Sequence, residues 1–146
     1  MPTSSETHTL STHKRINRTT LAYMAGILDG EGCIYAGMVT ADGKQYPSVS
    51  ITVKMTSYDL LVWIRDTFGG GLYEVNMKRI TGRKPQWTWK LALPDTKWFL
   101  KLMIPLLRVK QRQARLALVL RHMIEVGKAD NKKRTIIAEI SRLNQG

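Results

Sequence analysis

Two carboxylates lie two residues apart at the end of the segment Leu21-Ala22-Tyr23-Met24-Ala25-Gly26-Ile27-Leu28-Asp29-Gly30-Glu31-Gly32, which reads as a helix closed by glycines. Asp29 and Glu31 would there face the negative end of the helix macrodipole, which disfavours each by a few tenths to about 1 kcal/mol. A bound cation would reverse that sign. The other reading is a glycine-rich helix stop with solvated acids, and on the residues alone both stand. The same helix carries Ala22, Ala25 and Gly26, small residues that let another backbone approach closely, as at a helix–helix interface. A second feature is basic. From Lys78 to Arg115 there are eleven Lys and Arg residues against one acid, Asp95, so this stretch alone supplies +10 of the formal net charge of +12. An excess of this size points to a polyanion, and its spread over several elements favours nucleic acid over a membrane surface, which calls for one strongly amphipathic basic helix.

The elements that must position these groups are legible from periodicity. Thr19 or Thr20 can cap a helix to about Leu28, ended by Gly30 and Gly32. Ile34 to Val39 reads as a strand, Ala41-Asp42-Gly43-Lys44 as a hairpin turn, and Tyr46 to Lys54 as its partner, with Val49, Ile51 and Val53 alternating against Ser48, Ser50, Thr52 and Lys54. Ser57 caps a second helix with Leu60, Leu61, Ile64 and Phe68 on its buried stripe, and Gly69-Gly70-Gly71 stops it. Leu72 to Lys78 is a third strand, Gly82 to Pro85 a basic turn, and Gln86 to Leu93 a fourth strand with Trp87, Trp89, Leu91 and Leu93 on the apolar phase. Asp95 caps a third helix that Pro105 bends or ends. Helices from about Val109 and from about Asn131 follow. Two helix–hairpin units in sequence predict an α+β fold: one antiparallel four-stranded sheet, covered by helices on its apolar face and leaving a polar, basic face of a width to lie in a DNA groove.

Length and composition fit one domain. The chain has 146 residues, 43% hydrophobic and 23% charged, enough for a packed core. Residues 1–17, rich in Ser, Thr and His, read as a flexible arm in which His8 and His13 are arm residues rather than metal ligands; residues 18–146 read as a single domain. No apolar run approaches the roughly 18 residues of a spanning helix, so no membrane partner is expected. The single cysteine, Cys33, excludes an intramolecular disulfide and a Cys-built zinc site. A reducing compartment is expected, the cytoplasm of a bacterium or phage-infected cell or an organelle, with no secretion.

The segment Met24 to Gly32 resembles the LAGLIDADG motif of homing endonucleases, in the variant AGxxDGEG. Pro105-Leu106-Leu107-Arg108-Val109-Lys110-Gln111-Arg112-Gln113-Ala114 is similar to that family's helix-break-helix segment, and Val53 to Gly71 to its strand–helix–Gly segment, so the resemblance runs from about Thr19 to Glu125. It implies the αββαββα LAGLIDADG fold with one motif per chain, hence a homodimer whose motif helices pack along the twofold axis through Ala22, Ala25, Gly26 and Asp29. It implies that Glu31 stands at the motif's acidic position, one copy from each subunit, and shares divalent metal with the Gly30 carbonyl and the scissile phosphates. Mg2+, with Mn2+ as a substitute, suits such hard ligands. Asp29 is expected to shape the helix end rather than bind metal. Lys110 matches the family's active-site lysine, and Met55 falls where the family often has Gln or Asn contacting the water network.

The activity implied is a metal-dependent double-strand break in a long, near-palindromic DNA target. The residues expected to face double-stranded DNA are Tyr35, Gly37 and Val39; Tyr46, Ser48, Ser50, Thr52 and Lys54; Glu74, Asn76 and Lys78; and Gln86, Thr88 and Lys90. Arg79, Arg83, Lys84, Lys110 and Arg112 are expected on phosphates. Because methionine cannot donate a hydrogen bond, Met55 favours the alternatives: a cleavage-deficient maturase that binds RNA, or a DNA-binding regulator of the same fold.

Overall fold

The computed structural model describes residues 16–75 and 84–145. Its elements are α1 (Arg18–Glu31), β1 (Gly32–Ala41), β2 (Lys44–Met55), α2 (Tyr58–Phe68), β3 (Gly71–Glu74), β4 (Trp87–Leu91), α3 (Leu93–Met103), α4 (Gln111–Val126) and α5 (Asp130–Gln145). The strands form one antiparallel sheet in the order β1-β2-β4-β3, so the α+β expectation and the helix–hairpin repeat hold. No helix among the described residues is long and apolar enough to cross a membrane. The expected N-terminal arm lies almost wholly outside the described residues.

Local chemistry accounts for most boundaries. Asp42 and Gly43 both take positive φ, 52° and 75°, so that Ala41 pairs directly with Lys44. That is the two-residue turn whose twist matches its flanking strands, and Asp-Gly is its favoured sequence. Ser57 caps α2 as expected, accepting from the Leu60 amide. The cap of α1 is Asn17, two and three residues before the threonines; its side chain accepts from the Thr20 amide at 2.8 Å. Gly30 does not end that helix. The Gly32 amide still donates to the Leu28 carbonyl, so the helix runs to Glu31 and both acids lie in its last turn. At the other hairpin unit Leu93 opens α3 instead of closing β4, because Pro94 fits the first helical turn, where no amide donor is needed. Asp95 therefore sits in that first turn and is not the cap.

The sheet separates two faces. Ile34, Ile51 and Leu91 form one row of the helix-covered face, and Val53, Trp89 and Leu72 another. Met24, Leu28, Ile64, Phe68, Phe99, Leu100, Met103, Ala114, Ala117, Leu120 and Ile140 close over them. Both tryptophans of β4 belong to this apolar layer, as the strand phase predicted. Trp89 is fully buried, in contact with Phe99 at 5.7 Å between ring centroids, and its indole donates to the Gly69 carbonyl at 2.7 Å. The glycine turn is what allows this bond: Gly69 and Gly70 take φ of 84° and 91°, and a Cβ on Gly70 would stand 2.6 Å from the Lys90 carbonyl oxygen. The triplet is thus a helix stop that shapes the core. At the far edge, α5 reaches β1, where Asn144 donates to the Ile34 carbonyl at 2.9 Å.

Candidate active site and nucleic-acid interface

The two acids of α1 have opposite surroundings. Asp29 turns its carboxylate to the segment leading into α4 and accepts from three successive backbone amides, Arg108 at 2.8 Å, Val109 at 3.1 Å and Lys110 at 2.9 Å. The penalty of an anion at the negative end of its own helix is offset by the positive N-terminal end of another. Lys110 answers in the reverse direction: its ammonium donates to the Asp29 carbonyl at 2.6 Å, one of the carbonyls that a helix end leaves without an intrahelical partner. Glu31, two residues on, is exposed, and among the described residues no hydrogen bond or ion pair holds it. Of the two carboxylates, Glu31 is the one available to an outside ligand, while Asp29 shapes the helix end. Among the described residues no three His, Cys, Asp or Glu side chains gather as a metal site. The donors that fit a hard divalent ion here are the Glu31 carboxylate and the Gly30 carbonyl beside it.

The small face of α1 differs from expectation in one residue. Ala25 is only 2% exposed and belongs to the chain's own core. Ala22, Gly26 and Gly30 are exposed and recur every four residues, which places them on one side of the helix. A Cβ at Gly26 or Gly30 would meet nothing within 4 Å.

Met55 closes β2. It pairs with Trp87 and packs against the core, on the helix-covered side of the sheet. Alternation along β2 puts it in phase with Val53 and Ile51, and it is half-buried.

The outer face of the sheet carries most of the residues expected there. The register aligns Tyr35 with Ser50, Gly37 with Ser48, Val39 with Tyr46, Thr52 with Lys90, and Lys54 with Thr88. Tyr35, Val39, Tyr46, Lys54 and Lys90 are exposed, whereas Ser50 is nearly covered at 8%. The Tyr35 ring lies over Gly37, where any Cβ would collide with it, so Gly37 is buried beneath its neighbour. Glu74 stands opposite Trp87, on the helix-covered side, and Tyr73 opposite Thr88 takes the outward place. The reason is that β3 has apolar residues on both phases, Leu72 on one and Tyr73 and Val75 on the other, and the core accepts Leu72. Tyr73 and Cys33, which pairs with Thr52 on the same face, are outward positions that alternation within a single strand did not select. Asn76, Lys78, Arg79 and Arg83 lie outside the described residues. Lys84 is exposed, and Gln86 sits beside the start of β4, its carbonyl accepting from the Val75 amide.

Several basic groups are tied within the fold. Arg112 and Arg142 both bond Glu139, at 3.3 and 2.6 Å, linking α4 to α5. The hydrogen bond from Arg142, joined by that from Arg112, pulls the Glu139 carboxyl down to about 2. Lys97 likewise holds Glu125 at 3.0 Å and lowers its pKa, while partial burial raises that of Asp95. Arg112 is therefore a bridge between helices as well as a surface cation. Among the described residues Lys54, Lys84, Lys90, Arg108 and Lys110 make no ion pair.

A two-stranded repeat on a helix, a motif helix ending in acids, and a polar outer sheet face define a class of α+β scaffold also found among solved structures. The sequence matches no family model, and no curated protein is significantly similar to it. The structure is similar to the homing endonuclease I-CvuI in complex with the I-CreI target in the presence of Mg, a complex in which the DNA was not cleaved. The TM-score is 0.77 at 22% identity, covering 88% of this chain and 84% of that one. It is similar to the archaeal intron-encoded homing endonuclease I-Vdi141I complexed with DNA, with a TM-score of 0.69 at 15% identity, covering 86% of this chain and 84% of that one. The LAGLIDADG meganuclease I-AabMI bound to uncleaved DNA gives 0.65 at 21% identity, covering 90% of this chain but 46% of that one. The chain has the LAGLIDADG homing-endonuclease fold.

Proposed function

We propose that the protein is a site-specific DNA endonuclease of the homing type. It acts as a homodimer that makes metal-dependent double-strand breaks in a long, near-palindromic target. The observation that carries this reading is the exposed, uncommitted Glu31 at the end of α1, on the same helix end that holds the Lys110 ammonium. One carboxylate per chain is a poor metal site, so a second copy and the DNA phosphates must complete it. The open stripe Ala22, Gly26, Gly30 offers the twofold contact that would bring two Glu31 side chains together. The match to about half of I-AabMI agrees with a chain that supplies one of two similar units.

In this reading the Glu31 carboxylate and the Gly30 carbonyl would hold Mg2+ or Mn2+, which when bound would supply an activated water and charge stabilisation at the leaving 3′ oxygen. Lys110 places positive charge on the scissile phosphate. Lys54, Thr88, Lys90, Tyr73 and Tyr35 face the groove, and Arg108 and Lys84 hold the backbone.

The test uses duplexes from the DNA that flanks the gene. In Mg2+ the protein should cut both strands. Glu31→Gln, which keeps the size and removes the charge, should lower the rate by several orders of magnitude. It should still bind specifically in Ca2+, because two negative charges leave the phosphate-facing floor of the dimer. Cleavage by this variant at the wild-type rate would refute the catalytic assignment.

A further inference from the structure

We propose that Asp29 is a positioning residue, which splices the end of α1 to the start of α4 and thereby sets where the Lys110 ammonium can act. The inference rests on the endonuclease reading above, since it concerns how that site is assembled. Its basis is the closed double link between two points 79 to 81 residues apart. Lys110 donates twice to the same residue, its amide to the Asp29 carboxylate and its ammonium to the Asp29 carbonyl. Both ends of the lysine side chain are thus referenced to one residue of α1, two positions before Glu31.

Physical chemistry makes this more than a cap. A lysine side chain is a flexible four-carbon stem with high rotamer entropy, so an ammonium placed only by its stem has no set position. The segment that carries it is exposed: Arg108 is on the surface and Val109 is 71% exposed. Neither residue belongs to the apolar core. The Asp29 carboxylate replaces packing here. It is the acceptor for three successive amides, and charge-assisted bonds of this kind are roughly twice as strong as neutral ones. Opposite dipole ends meet at this point, the negative end of α1 and the positive end of α4, so the carboxylate and the ammonium each lie at the helix end of opposite charge. An anion pointed at the same amides from solution, such as a DNA phosphate, would have to displace Asp29. The N-terminus of α4 is therefore a structural joint, and its lysine, not its amides, faces the substrate.

The test is Asp29→Asn, which is close to isosteric but offers one acceptor oxygen in place of two and turns an amide donor toward the loop. Single-turnover cleavage should fall about 100-fold, the cost of misplacing a catalytic group by about an ångström. Affinity for the target in Ca2+ should change less than threefold. Combining Asp29→Asn with Lys110→Met should cost little beyond Lys110→Met alone, because the aspartate acts through the lysine. In the free protein, the amides of Arg108, Val109 and Lys110 should exchange with solvent faster in the variant. A variant that cleaves like wild type, or whose loss multiplies with that of Lys110→Met, would overturn the positioning role. Unchanged amide exchange would overturn the splice itself, and that readout needs no cleavage. A wild-type protein that cuts no flanking duplex would instead overturn the endonuclease reading, so the two failures are distinct.

Discussion

At the junction of α1 and α4, three backbone amides and one ammonium converge on a single residue, Asp29. On the outer face of the sheet, Tyr35, Tyr46, Thr52, Lys54, Tyr73, Thr88 and Lys90 stand in register rows, and no side-chain hydrogen bond joins them to other described residues. The two regions carry the two halves of the proposed activity and are built in opposite ways. Chemistry on a phosphate needs groups held to a fraction of an ångström, and here a long-range electrostatic joint holds them. Reading a sequence needs side chains that can exchange water for base edges, and the strands present these on a rigid frame without committing them. Substitution should thus be costly at the junction and change preference, not integrity, on the face.

The largest expected effect is at the small stripe of α1. Gly26→Leu has room in a single chain, since nothing lies within 4 Å of the position of its Cβ. It should convert a dimer to monomer in sedimentation and abolish double-strand cleavage, with little loss of chain stability. A dimer that survives would place the twofold axis elsewhere. Next is Lys110→Met, expected to slow single-turnover cleavage by ~100- to 1000-fold, the usual cost of removing one charge-stabilising donor. Its binding should weaken only modestly. Lys90→Ala tests the other region: selection from a target library should show relaxed base preference at one position per half-site, by about 1–3 kcal/mol of discrimination. The melting temperature should stay unchanged, and a large fall would break the contrast between the regions. The smallest effect belongs to the flank. Glu139 has its pKa lowered to about 2 in the folded state by Arg142 and Arg112. Its contribution is therefore present above the ordinary carboxylate range and lost as pH falls toward 2. Thermal melts of Glu139→Gln should lie slightly below wild type at pH 6 and converge with it near pH 2.

Much of this architecture was written locally. Period-2 alternation named the rows of β2, Asp42-Gly43 named its turn, and Ser57 named the start of α2. Each of these depends on neighbours a few residues away. Alternation failed at β3, where both phases carry apolar residues and a shift of one residue moves every side chain to the other face. Only pairing with β4 placed Tyr73 outward and Glu74 on the side of Trp87. Ala25 read as interface because small size alone cannot say which side of a helix meets the core.

The acids divide the two kinds of information most clearly. Their spacing and their place at the end of a glycine-rich helix are properties of the chain, and these set up a site that would attract cations. Which acid remains free is not such a property. Asp29 and Glu31 differ by one methylene and two positions, and their fates were decided by amides 79 to 81 residues downstream of Asp29. A carboxylate takes the donors that the fold brings to it, and only the packing of α4 beside the end of α1 brought them to Asp29.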